Sequence, residues 1–159
     1  MTDITAPISP AELVGDLITR YGTISGLTLP STEQVPAVVI GAATDAQQQG
    51  GVVQLMAAGL PVIEKYLPLQ WHRAQIRCLG PDLDTSDFLA QTVFADINGL
   101  VRKLVYQASN DSWYLMHLCN VTAGPSMHYD TEETKESLLF AEILLATAVV
   151  GTGSTEPSV

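Results

Sequence analysis

Between residues 70 and 104 the hydrophobic pattern changes period once. Trp71, Arg73, Gln75, Arg77 and Leu79 alternate with His72, Ala74, Ile76 and Cys78. A period of two with one side more apolar predicts a strand over 71–79 with two unlike faces. Gly80, Pro81 and Asp82 break it. Leu89, Val93, Ile97, Leu100 and Leu104 then recur at three- and four-residue steps. That stripe predicts an amphipathic helix over 85–105. Asp84 as its cap, Asp87 in its first turn, and Arg102 and Lys103 near its end match the helix dipole.

The flanking segments follow the same logic. Ser9-Pro10-Ala11-Glu12 is a helix start with a capping box, and Leu13, Val14, Leu17, Ile18 and Tyr21 make one apolar face before Gly22. A short helix over 10–21 is predicted. Residues 23–35 read as a loop. Two apolar runs, 37–43 and 52–58, read as strands of a β-hairpin with an extended tip at 45–50. Residues 62–67 read as a short strand or a helical turn. Residues 107–112 are a polar turn, and 113–122 are apolar on both parities, as in a central strand. Residues 126–136 carry Asp130, Glu132, Glu133 and Glu136 and read as a solvated loop before a last strand over 137–150. The sum is an α+β fold: a mixed, mostly antiparallel sheet of about four to six strands with two main helices on one face. One domain over 10–151 is expected, with a flexible arm over 1–9 and a disordered polar tail over 152–159.

Composition narrows the class. The chain is 47% hydrophobic and only 15% charged, with mean hydropathy +0.22. The longest apolar run, 138–150, is interrupted by Glu142 and is too short to span a bilayer as a helix. No charged leader with a cleavage site opens the chain, so neither a signal peptide nor a membrane partner is expected. Apolar surface buried against other subunits accounts better for the balance. Net charge is −10, and the seven basic residues are dispersed. That disfavours nucleic-acid binding through phosphates.

Chemistry-bearing residues are few. Cys78, His117 and Cys119 are soft ligands, with His117 and Cys119 expected on one face of one strand. A small cytoplasmic metal-binding protein or enzyme using these three is one reading. Free core thiols in a reducing compartment are the other. No nucleophile elbow, phosphate loop, zinc-protease or dinucleotide motif is present, so no enzyme activity, catalytic residue, metal site or cofactor is assigned. Arg73 and Arg77 lie about 13 Å apart on one strand face. They read either as members of scattered surface ion pairs or as charges that cross a subunit boundary. Asp45, Gln47, Gln48 and Gln49 in the hairpin tip, and Asp130, Glu132 and Glu133 in the acidic loop, are further candidate contact residues, because long loops on a rigid sheet are contact devices.

The layout resembles phage tail-terminator proteins, a group overlapping the minor capsid and tail-completion families. The carriers are AELVGDLITRYG, WHRAQIRCLGPD, SDFLAQTVFADINGLVRKLV, YLMHLCNVTAGPSMHYDTE and ESLLFAEILLATAV. The resemblance covers roughly residues 10–152. It implies a structural virion protein that forms a homo-hexameric ring on the tail tube and stops tube polymerisation. It also implies a head-joining surface around a channel through which the genome DNA passes without specific binding. The implied partners are the tail tube protein and a neck or head-completion protein. The implied location is the head-proximal end of the tail in the virion, and the host cytoplasm during assembly. A head-side neck or connector protein is the alternative within the same class. An acidic chain suits a channel that must not hold DNA, and excess apolar surface suits a closed ring.

Overall fold

Two long alternating strands carry the sheet. The computed structural model describes residues 8–29, 33–64, 66–129 and 135–158. Among these, the order is α1 (Pro10–Tyr21), β1 (Ala37–Ile40), α2 (Asp45–Gly50), β2 (Val52–Ala57), β3 (Val62–Ile63) and β4 (Leu69–Gly80), followed by α3 (Leu83–Ile97), β5 (Val101–Gln107), β6 (Ser112–Tyr129) and β7 (Lys135–Thr152). Strands β4 and β7 pair antiparallel from Leu69 opposite Ala146 to Gly80 opposite Lys135. The sheet runs β1-β2-β4-β7-β6-β5, with β3 added to β4. The fold is α+β, as the sequence pattern implies.

Helices α1 and α3 cover the inward face. Ser9 caps α1 by accepting from the Glu12 amide at 3.3 Å, and its own amide donates to Gln107 Oε1 at 2.7 Å. Residue 9 therefore belongs to the folded body, not to a loose arm; residues 1–7 lie outside the described residues. Leu13, Val14, Leu17 and Ile18 of α1 join Leu89, Ala90, Val93 and Ile97 of α3 over Ile76, Leu139, Ala141 and Ile143 of the sheet. No helix among the described residues is long and apolar enough to cross a membrane.

Four expectations need correction. First, β1 and β2 are parallel neighbours, with Ala37 opposite Val52, and not a hairpin. The expected tip is helix α2. The Thr44 hydroxyl accepts from the Gln47 amide at 3.2 Å, and the Thr44 amide donates to Gln47 Oε1 at 2.9 Å. That capping box starts a turn of helix that carries the chain back, which is what parallel pairing requires.

Second, α3 ends at Ile97, not at 105, and Asp82 rather than Asp84 is its cap, accepting from the Thr85 amide at 2.7 Å. Asn98 and Gly99, the latter at φ +83°, turn the chain into β5. Asn98 Oδ1 accepts from the Val121 amide at 3.0 Å, and the Gly99 amide donates to the Cys119 carbonyl at 2.8 Å. Leu104, Arg102 and Lys103 thus sit on a strand. VRKLV at 101–105 has no clean period of two, while Leu100 and Leu104 continue the helical spacing of Leu89, Val93 and Ile97, so the spacing alone points to helix.

Third, most of the expected acidic loop is strand. β6 runs to Tyr129 and β7 begins at Lys135, which pair with each other. Asp130, Glu132 and Glu133 lie outside the described residues. Fourth, the tail expected to be disordered turns back on the sheet. The Trp113 indole donates to the Gly153 carbonyl at 2.7 Å, and a Cβ on Gly151 would meet the Pro157 ring at 3.0 Å.

Truncating Ile97 to alanine should cost about 2–5 kcal/mol in a denaturant titration, and Val93→Ala should fall at or below the low end. A loss under ~0.5 kcal/mol, the usual surface value, would show that this face of α3 is not packed.

Candidate interaction surface

The sequence between β2 and β4 builds an arm. Gly59 adopts φ +84° and reverses the chain. The Ala58 amide donates to the Arg73 carbonyl at 2.9 Å, and the Glu64 amide to the Leu69 carbonyl at 3.1 Å. Between these rungs Val62 and Ile63 pair with Trp71 and Gln70. The Trp71 indole donates to Glu64 Oε1 at 3.2 Å. The Thr147 amide donates to the Pro68 carbonyl at 3.0 Å and ties the arm base to β7. Val62–Glu64 and the arm base are thus held by backbone bonds, yet Leu60, Val62, Ile63, Tyr66 and Leu67 are between 58% and 89% exposed. Exposed large apolar side chains this close together in sequence are the feature of the surface that most needs a physical account.

A notch of about 190 Å³ lies beneath the arm, between Leu60, Val62 and Trp71 on one side and Arg73 and Glu142 on the other. Arg73 pairs with Glu142 on the opposite strand. Arg77 reaches Glu136 through two contacts, Nε to Oε1 at 2.7 Å and a terminal nitrogen to Oε2 at 2.5 Å. Both arginines are therefore ion-paired inside the chain. Of the two pairs, Arg73 borders the notch and Arg77 sits deeper, with the Glu136 side chain only 1% exposed.

The remaining sequence candidates scatter. Gln47 spends its amide on the α2 cap, and Gln48 Nε2 donates to the Ala43 carbonyl at 3.4 Å. Asp45 and Gln49 are exposed on α2. Cys78, His117 and Cys119 are not brought together. Cys78 lies opposite Ser137 of β7 and Cys119 opposite Ile143. Six residues of β7 put the thiols about 20 Å apart along the strands, on either side of β7. A register shift between Met116 and Leu118 makes His117 the extra residue of a β-bulge. Met116 and Cys119 are both buried while His117 is only partly so, so His117 and Cys119 do not share a face. No group of ligating side chains able to hold a metal occurs among the described residues.

The β5 edge is closed by α1. Asp16 Oδ2 accepts from the Tyr106 amide at 3.0 Å, the Tyr21 hydroxyl donates to the Leu104 carbonyl at 2.8 Å, and Glu12 Oε1 accepts from the Ser109 amide at 3.0 Å. Side chains occupy the positions that another strand would use. The β1 edge is different: Val38 and Ile40 line an open groove with Glu12, Asp16 and Thr19, and Ile40 is 55% exposed.

No protein-family model matches the chain, and no curated protein matches it.

The arm was legible only in part. Residues 60–67, LPVIEKYL, are apolar on both parities between two breakers, too short for a core element and too apolar for a solvated turn. That mismatch was the available signal.

Burial pushes the Cys119 thiol up to about 12, and burial followed by the nearby Glu136 charge pushes Cys78 higher still. Both should resist a thiol reagent at neutral pH in the native protein and react together on unfolding. Folded pKa values above the unfolded one mean that the native state holds its protons longer. Stability should therefore be whole below about pH 8.5 and fall as the unfolded chain's thiols ionise above it. A Cys78→Ala, Cys119→Ala double variant should lose part of that alkaline slope in denaturant titrations across pH. Arg77→Met, which removes the two contacts of the guanidinium with the buried Glu136 carboxylate, should cost about 3 kcal/mol by the same titration at neutral pH. A change under ~0.5 kcal/mol would show that the pair is not structural.

Proposed function

We infer that the protein is a structural assembly subunit, a phage tail terminator that closes into a homo-oligomeric ring, six-fold by the resemblance. The ring caps the tail tube, stops its polymerisation and offers the head-joining surface around the DNA channel. The observation that carries this reading is the arm: five large exposed side chains, Leu60, Val62, Ile63, Tyr66 and Leu67, of which Val62 and Ile63 sit on a hydrogen-bonded strand pair. Covering such side chains with another protein surface removes apolar area from water and so favours association. The acidic balance supports passage of DNA without retention. The α+β body, whose β5 edge is filled by its own side chains, supports assembly through chosen surfaces rather than through indiscriminate strand addition. The partners on this reading are the tail tube protein on one side and a head-completion protein on the other, within the virion at the head-proximal end of the tail.

The purified chain should form rings visible by negative-stain microscopy and a matching mass by light scattering. Val62→Asp with Ile63→Asp should leave circular dichroism and stability within about 0.5 kcal/mol, since both side chains are exposed, yet shift the mass towards monomer. Unchanged assembly would remove the arm from the interface. Disruption of the gene in its phage should give over-long tails. Tails of normal length left unattached to heads would instead identify a neck protein.

A further inference from the structure

The C-terminal end of α1, the start of β5 and the chain after β7 line an open groove of about 500 Å³. Arg102 and Lys103 line it together, beside an apolar wall of Tyr21, Leu104 and Leu115 and with one acid, Glu156. Neighbours on a regular strand point to opposite faces. Here the alternation is broken. Arg102 adopts φ +52°, the left-handed region that favours glycine, and the ladder to β6 passes from Val101–Leu118 to Lys103–Met116 without a rung at Arg102. The irregular backbone thus places two adjacent cations on one concave surface. Lys103 Nζ lies 5.1 Å from the centre of the Tyr21 ring. Arg20, Arg73 and Arg77 are each paired with a carboxylate of the same chain. Among the described residues, no carboxylate lies within ion-pair distance of Arg102 or Lys103.

A patch of the opposite sign sits on the first two turns of α3. Asp82 is occupied as the cap, but Asp84 and Asp87 form no ion pair among the described residues. Asp84, Asp87 and Phe88 are spaced by three and four residues, so they share one face of the helix. Phe88 is exposed there, and so is Leu83. Two unpaired carboxylates beside apolar side chains complement two unpaired cations beside an apolar wall. One chain cannot make that match by itself. The Thr23 amide donates to Asp96 Oδ2 at 2.8 Å, which ties the Tyr21 side of the groove to the C-terminal end of α3. Asp87 and Asp84 lie about 14 and 18 Å from Asp96 along that helix, at ~1.5 Å per residue. The two features therefore occupy opposite ends of α3 and meet only between molecules, head to tail.

We propose that the groove at Arg102 and Lys103 receives the Asp84–Phe88 face of α3 from a second copy. This contact rests on the homo-oligomeric reading above and gives it one specific interface. Charge complementarity selects the occupant. Each chain carries a net charge of −10, so two copies repel except where unpaired cations face unpaired carboxylates. The exposed Phe88 then meets the Tyr21, Leu104 and Leu115 wall and loses apolar area to water. The surfaces on the two copies are unlike, so the contact repeats from subunit to subunit and closes into a ring when the rotation permits.

Sedimentation velocity on the full chain tests it, with circular dichroism as the check on folding. Arg102→Glu with Lys103→Glu, or Asp84→Lys with Asp87→Lys, should each weaken self-association about 10-fold or more. Combining all four substitutions should restore it, because the same two surfaces then meet with signs exchanged. About 1 M NaCl, where the Debye length is ~3 Å, should weaken the wild-type assembly. If a charge reversal disturbs the fold, Arg102→Gln with Lys103→Gln, or Asp84→Asn with Asp87→Asn, replaces it and should weaken association in the same direction. Wild-type assembly in which either pair of variants leaves association unchanged, or in which the fourfold exchange restores nothing, overturns this contact and leaves the ring reading standing. A wild-type chain that stays monomeric at every concentration overturns both.

Discussion

The twelve-residue antiparallel ladder between β4 and β7 is the constraint on which the rest of the structure depends. It forms the middle of the sheet, so both wings and both helices take their positions from its register. On its inward face Ala74 stands opposite Ala141 and Cys78 opposite Ser137. These small pairs leave room for α1 and α3 to approach the backbone. At Gly80 the approach is closest, since a Cβ there would meet Thr85 of α3 at 2.7 Å. On the outward face Arg73 stands opposite Glu142, and Arg77 reaches diagonally to Glu136. A slip of one residue would turn both arginines toward the helices and the alanines toward solvent. The ion pairs therefore contribute more by excluding the wrong register than by net energy, which for the half-exposed Arg73 pair is small.

Because the helices lie on one face, the outward face has to be managed by the strands themselves. Trp71, Leu144 and Leu118 form one cross-strand row there, and Gln75 and Phe140 another. All are partly buried by their neighbours rather than by a second layer. Val52 and Leu79, of the same outward parity, are fully enclosed. The repeated register shifts along β6 and β7 bend this wing. One such shift decides the fate of the only histidine–cysteine spacing that looked chemical, by inserting His117 as an extra residue and keeping Cys119 in the core.

What was legible in the sequence was what depends on local periodicity. The strand at 71–79, helix α1 with its serine cap, and the inward and outward parities of the central ladder follow from spacing and capping chemistry alone. The misreadings arose where two patterns coincide or where pairing is non-local. Leu100 and Leu104 continue the α3 spacing by accident, and only the Asn98-Gly99 turn, with its hydrogen bonds to β6, shows that the helix has stopped. Thr44 and Gln47 carry a readable helix start, but the two-strand-and-tip pattern around them also fits a hairpin; parallel pairing is decided by the crossover, not by the strands. The partners of Arg73 and Arg77 could not be read at all, because they sit 69 and 59 positions away.

The two edges and two ends of the sheet are treated unequally, and that inequality bears on assembly. At β5 three side chains of α1 satisfy or cover the groups that a foreign strand would need. At the arm the backbone is paired, but the side chains are apolar and open. Strand addition is thereby suppressed where the edge is long, and side-chain contact is offered where the strand is short. A surface that meets its own copy symmetrically needs self-complementary chemistry within one patch. Here the apolar arm and the open groove beside β1, with its Glu12 and Asp16, lie at separate places and differ in character. On the assembly reading proposed above, unlike patches favour head-to-tail contacts, which close into a ring where the rotation between copies permits and otherwise run on as a filament.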